Sequence, residues 1–206
     1  MHPDFHFYEP AKGHGLAHDP FNAIVGPRPI GWISTHDGAG HFNLAPYSFF
    51  NAFAYRPPVI GFASSGEKDT LRNVRATGEF VWNLATRALA AQMNATSGSV
   101  AREVSEFEVA GLTPVAAEKV GAPRVGESPV SFECRVTQVV QLTDHRQSPM
   151  PNWVVFGEVV AVHIARWLLV DGVYDTAAAR PILRAGGTDA YVEVTPQSVF
   201  RMKRPA

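Results

Sequence analysis

From Ile24 onward the chain is built of short runs of β-branched and aromatic residues, broken by Gly, Pro and polar clusters, a pattern that predicts strands. "AIVGPRPIGWIST" and "HFNLAPYSFF" read as a hairpin about an Asp37-Gly38 turn, with glycine supplying the positive φ. "RPPVIGFASS" predicts another strand, and its proline pair suits a strand end or an edge. "KDTLRNVRATGEF" changes to a helical period, with Asp69 or Thr70 as N-cap, Leu71 and Val74 on one face and Gly78 as the stop. "EFVWNLA" returns to strand, and "TRALAAQMNATS" reads as a second helix capped by Thr86. Residues 97–128 are rich in Gly, Pro and charge and read as a surface excursion, with "FEVAGLTPV" as one short ordered piece. Two long runs, "SPVSFECRVTQVVQL" and "NWVVFGEVVAVHIA", flank the polar "TDHRQSPMPN" and predict neighbouring antiparallel strands of a closed or nearly closed sheet. The expectation is a mainly β barrel with a few short peripheral helices, since closure removes exposed edges.

Composition narrows this picture without changing it. With 206 residues, 46% of them hydrophobic and 18% charged, the chain suffices for one substantial core: an irregular lead-in over residues 1–20, then one domain over 21–206. No apolar window approaches the roughly 20 residues of a spanning helix, and "MHPDFHFYEP" lacks the features of a signal peptide, so a cytoplasmic protein is expected. The single cysteine, Cys134, sits among apolar neighbours and reads as buried. A net charge of −1 with interspersed signs gives no footprint for nucleic acid or an anionic membrane. His14 and His18 are four apart, but Gly13 and Gly15 weaken any helix that would align them, so no metal site is read.

Candidate chemistry concentrates in two places. "RPIGWISTHDGAGHFNLAPYSFFNAF" mixes rings with small residues, hydroxyls and amides; strand alternation puts Trp32 with Ser34 on one face and Ile33 with Thr35 on the other, and the hairpin returns Asn43, Ala45 and Ser48 beside them. Such a mixture suits a planar heteroaromatic ligand. "SSGEKDT" joins a strand to a helix with hydroxyls, a glycine, a lysine and free helix N–H groups, the equipment for a monophosphate, and lacks Walker spacing. Each stretch also has a plain structural reading: the aromatics and Trp32 as core, "SSGEKDT" as a turn with Asp69 capping. His36 and His41 flank the hairpin turn, as substrate contacts or as solvated loop residues, and His163 reads as structural. No Gly-x-Ser-x-Gly elbow, His-Glu-x-x-His or cysteine cluster is present.

In order and spacing, "RPIGWIST", "NLAPYSFFN", "PPVIGFASS", "KDTLRN", "GEFVWNLA", "SEFEVAGLTPV", "ESPVSFECRV", "FGEVVAVHI" and "FRMKRP" resemble the flavin reductase-like, FMN-binding split-barrel family, flavoredoxins included, over about residues 20–205. The resemblance implies a homodimer of split β-barrels of Greek-key type, with FMN near the subunit interface. Carried over by position, Arg28, Trp32, Ser34 and Thr35 would line one side, and Asn43, Ala45, Pro46 and Ser48 would meet the isoalloxazine and ribityl chain. Ser64, Lys68, Asp69 and Thr70 would surround the phosphate, Asp69 orienting Lys68 or capping the helix. Asn51, Asn73 and Asn83 match recurrent positions, with a structural role argued for Asn83 alone. The implied activity is that of an FMN-dependent oxidoreductase taking hydride from NADH or NADPH for free flavin, a redox or monooxygenase partner, or a small molecule, with no catalytic acid-base pair because the flavin carries the chemistry. The alternative is a flavoredoxin-like electron carrier without efficient NAD(P)H oxidation.

Overall fold

The computed structural model describes residues 4–205. Seven antiparallel strands form its main sheet: β1 (Gly31–His36), β2 (Phe42–Tyr47), β3 (Phe50–Tyr55), β4 (Pro58–Ser65), β5 (Glu79–Asn83), β6 (Val130–Thr143) and β7 (Pro149–Ile164). Their order is β2-β1-β5-β6-β7-β4-β3. The chain passes from one edge strand, β2, straight to the other, β3, across Ser48 and Phe49, and the Ala63 amide donates to the Phe49 carbonyl at 2.8 Å. The two edges therefore meet without pairing, and the barrel is split along that seam. Among the described residues four short α-helices accompany it: α1 (Phe21–Ile24), α2 (Asp69–Thr77), α3 (Ala90–Ala95) and α4 (Glu106–Ala110). No helix among the described residues is long and apolar enough to cross a membrane.

The long β6–β7 hairpin forms where the β-branched runs predict it, its register shifting at Phe156/Gly157 and Val159/Ala161. Gly157 is required by packing, because a Cβ there would stand 2.5 Å from the Phe80 ring. Three details differ from the sequence reading. Residues 21–24 form a helical turn instead of opening a strand, since the Asp19 carboxylate accepts the Phe21 amide and the Pro20 carbonyl accepts those of Ala23 and Ile24. "HFNLAPYSFF" is two strands, broken where the Arg28 guanidinium takes the Ser48 carbonyl (3.0 Å). At α2 the N-cap is Lys68, with Asp69 the first helical residue; Gly78 closes the helix in the left-handed conformation, φ 73°.

One core fills the barrel with Ile33, Phe62, Phe80, Val155 and Cys134, sealed by Leu71 and Val74 of α2. A second lies outside β1, where Trp32, Leu44 and Ile30 pack on Met93 of α3 and Phe107 by α4's first turn. Burying each such large side chain contributes roughly 1.5–3 kcal/mol, so α2, α3 and α4 are held by packing more than by propensity.

Candidate functional site

A cleft of about 320 Å³ opens between β2, the start of α2 and the loop 96–100. Asn43, Ala45, Pro46, Lys68, Asp69 and Thr70 line it together. At its floor α2 begins without a side-chain cap, and its first closed bond is Arg72 N–H to the Lys68 carbonyl (3.0 Å). The N–H groups of Asp69, Thr70 and Leu71 therefore have no acceptor within the helix, which makes the floor receptive to an anion. Lys68 is exposed there and forms no ion pair among the described residues.

The carboxylates around the cleft are committed elsewhere. Asp69 meets Arg72 at 2.8 Å and Arg102 at 3.8 Å, not Lys68. Glu67 pairs with Arg75. Glu106 accepts the Leu44 amide at 2.9 Å, and burial raises its pKa above the ordinary carboxylate value. Lys68 is left as the uncompensated cation. Below it Asn43 Nδ2 donates to Thr70 Oγ1 (2.8 Å), and the Ser64 hydroxyl donates to the Gly66 carbonyl (3.0 Å). Tyr47 borders the same cleft with a buried hydroxyl that forms no hydrogen bond of good geometry among the described residues; burial pushes its pKa up to about 12, a rise that the nearby Thr70 and Ser64 hydroxyls only partly offset.

The remaining candidates are held by the protein itself. Trp32 is fully buried and its indole N–H donates to Thr96 Oγ1 (3.0 Å). Ser34 is fully buried, donates to the Pro123 carbonyl and accepts from Asn83 Nδ2 (3.1 Å). Thr35 Oγ1 accepts from Asn73 Nδ2 (3.0 Å). The Arg28 guanidinium binds the carbonyls of Asn22, Val25 (2.8 Å) and Ser48, and stands over the Phe49 ring at 5.2 Å, beside a separate cleft of about 450 Å³. Asn51 accepts the Ala52 amide, His36 pairs with Glu79 (2.9 Å) and His41 with Asp37 (2.8 Å). Cys134 is buried, and burial drives its thiol pKa far upward.

Tyr47 and the turn Thr96–Ser97–Gly98 were not anticipated from the sequence. The tyrosine is one ring among several in "APYSFF", whereas "TSG" carries a usable signal: hydroxyls and a glycine directly after a helix.

The sequence matches the flavin reductase like domain over residues 26–178. A protein of Aquifex aeolicus is 39% identical over 80% of this chain and 83% of its own length. Nitrilotriacetate monooxygenase component B from Bacillus cereus superposes with a TM-score of 0.81 at 31% identity, covering 88% of this chain and 90% of that one. Flavoredoxin of Desulfovibrio vulgaris gives 0.74 at 25% identity, over 86% and 90%.

Proposed function

The chain belongs to the flavin reductase like domain family, and from that premise we propose that it is an FMN-binding oxidoreductase, a NAD(P)H-dependent flavin reductase that passes reducing equivalents to free flavin or another acceptor. The observation that carries the FMN site is Lys68, exposed at the N-cap of α2 and without an ion pair among the described residues, in a cleft whose carboxylates are otherwise bound. FMN, when bound, supplies hydride and single-electron chemistry. The protein's part is to hold and orient. Lys68, the first amides of α2 and the Thr70 hydroxyl take the phosphate, while Asn43, Ala45 and Pro46 line the path of the ribityl chain. Asp69 restrains Arg72 and Arg102 at the rim. Ser64 supports the turn through Gly66. Trp32, Thr35 and Arg28 serve the same site at one remove, by fixing β1 and the Ser48 bend, whereas Ser34 belongs to the network of Asn83 and Pro123.

Likeness to a monooxygenase component supports an acceptor outside this chain. Likeness to a flavoredoxin favours a second reading, an electron carrier fed by another protein. A homodimer is part of the proposal, supported by Phe53 and Tyr55 on the edge strand β3, 58% and 81% exposed; light scattering that finds a stable monomer with full FMN content would exclude it.

The deciding experiment is FMN reconstitution followed by anaerobic addition of NADH and then NADPH. Bleaching of bound flavin at catalytic speed is the expected result. Bound but unbleached flavin selects the carrier, and failure to bind FMN rejects the site.

A further inference from the structure

We infer that Tyr47 is a positioning residue for the anion in this cleft, acting through Thr70: with Asn43 it holds the Thr70 hydroxyl as a hydrogen-bond donor directed at the ligand. The inference rests on the FMN reading above and adds to it a residue and a specificity.

A threonine hydroxyl has one proton and two lone pairs. Asn43 Nδ2, at 2.8 Å, occupies one lone pair of Thr70 Oγ1, and Thr70 is itself 1% exposed. The Tyr47 hydroxyl stands beside it, and beside that of Ser64 as well. The Ser64 proton is taken by the Gly66 carbonyl. Tyr47 is 8% exposed, yet its hydroxyl has no formed hydrogen bond. Buried hydroxyls are nearly always partnered, so an open one at the base of a ligand cleft marks a bond that forms when the ligand arrives. Burial pushes this phenol up to about 12, so it keeps its proton and acts as a donor. An anion at the start of α2 accepts the Thr70 proton, and Tyr47 then donates to the second lone pair of Thr70. The chain Tyr47 O–H to Thr70 O–H to anion is a cooperative one, each bond polarising the next.

The test compares FMN with riboflavin, which lacks the phosphate, by fluorescence titration of Tyr47→Phe, Thr70→Val, the double variant and Lys68→Ala, with the melting temperature of each ligand-free protein. Tyr47→Phe should weaken FMN about tenfold and riboflavin less than about twofold. The ligand-free protein should melt no lower than wild type, because the lost hydroxyl had no partner. In the Thr70→Val background the Tyr47 change should add nothing, since its partner is gone. If Thr70→Val does not fold, Thr70→Ser replaces it and Tyr47→Phe should retain its full effect there. Equal losses for both ligands, an unchanged FMN affinity, or a full additional loss in the Thr70→Val background would overturn the inference. Lys68→Ala separates the two levels. FMN-selective weakening by Lys68→Ala alone leaves the phosphate reading standing and removes Tyr47 from it, whereas loss of selectivity at neither residue rejects the reading itself.

Discussion

Two polar clusters lie on opposite faces of β1. On the face of Ser34 the segment 117–125 crosses the barrel as a strap, and its backbone is gripped by side chains from the strands beneath. Glu133 accepts the amides of Glu118 (2.8 Å) and Lys119 (2.6 Å), Glu79 accepts that of Gly121, Ser34 donates to the Pro123 carbonyl, and Asn83 Oδ1 accepts the Val125 amide (2.9 Å). Asn83 also binds Ser131 and Ser34, so its amide is fully used. On the face of Thr35 lies α2 with the cleft, where among the described residues Lys68 forms no ion pair, the helix N-terminus has no side-chain cap and the Tyr47 hydroxyl has no hydrogen bond. Both clusters are made of the same residue types. What separates them is satisfaction: the side-chain grips on the strap's backbone are formed, with Arg124 Nε the one buried side-chain atom of the segment left without a partner, whereas the cleft keeps several polar groups open, as the proposed ligand site requires.

The largest effect that can test this contrast is removal of Glu133. Its carboxylate is fully buried and also pairs with His163, so Glu133→Ala strands two amides and a histidine. The expected cost is about 3 kcal/mol, or about 6–12 °C in melting temperature for a chain of this size. FMN affinity measured well below the transition should stay within about twofold. Acid provides an independent check on the same group. Burial pushes the Glu133 carboxyl up, but the Glu118 amide, the His163 ring and the Lys119 amide outweigh it and leave the pKa below its ordinary value of 4.5. A depressed carboxyl stabilises fully above its unfolded pKa and loses that contribution as pH falls through the folded value. Amide protection factors in the strap, which are corrected for the intrinsic slowing of exchange in acid, should therefore fall below about pH 4.5 in the wild type and be low and flatter with pH in Glu133→Gln. A strap equally protected at pH 7 and pH 3 would show that the carboxylate does not hold it.

Ser34→Ala comes next and separates the two faces most directly. Its hydroxyl belongs to the Asn83 network, so the substitution leaves the Pro123 carbonyl and one Asn83 N–H unpaired, at about 1–2 kcal/mol. Differential scanning calorimetry should find the melting temperature lowered by about 3–6 °C, with FMN titration unchanged. A spectral shift of bound flavin in this variant would place Ser34 on the ligand and dissolve the contrast.

The strands β6 and β7 were legible because their β-branched runs exceed any helical alternative, and α2 because Leu71, Val74 and Gly78 fall at helical spacing. The strap was not, since its hydrogen bonds go to Glu79, Glu133, Ser34 and Asn83, residues distant in the chain, and local propensity carries no trace of them. Half of the candidate site was legible for a similar reason in reverse. Asn43, Ala45 and Pro46 form one short stretch and Lys68, Asp69 and Thr70 another, each legible by itself, and the packing of α2 on β1 and β2 with the Asn43–Thr70 bond brings the two together. Trp32, Ser34 and Thr35 lie close to the first stretch in sequence, but their polar atoms are taken by Thr96, Pro123 and Asn73. A residue type reports what a side chain can bond; only the accounting of partners reports what it still has free.

The smallest of these effects, Asn43→Ala, sharpens the contrast from the open side. Asn43 is half-buried at the cleft wall, and among the described residues its side chain bonds to Thr70 Oγ1 alone. Removing it frees one lone pair of the buried Thr70 hydroxyl, which can rotate towards the neighbouring Tyr47 hydroxyl, and so costs the ligand an oriented donor more than it costs the fold. FMN should bind about fivefold more weakly, in line with the loss of one neutral hydrogen bond of about 1 kcal/mol, and melting should shift by less than about 2 °C. The two asparagines then respond oppositely. Asn83→Ala disturbs a closed network and should lower melting temperature without affecting FMN, whereas Asn43→Ala affects FMN without lowering melting temperature. Similar profiles for the two variants would mean that the cleft is as much a structural network as the strap, and that the ligand is held elsewhere.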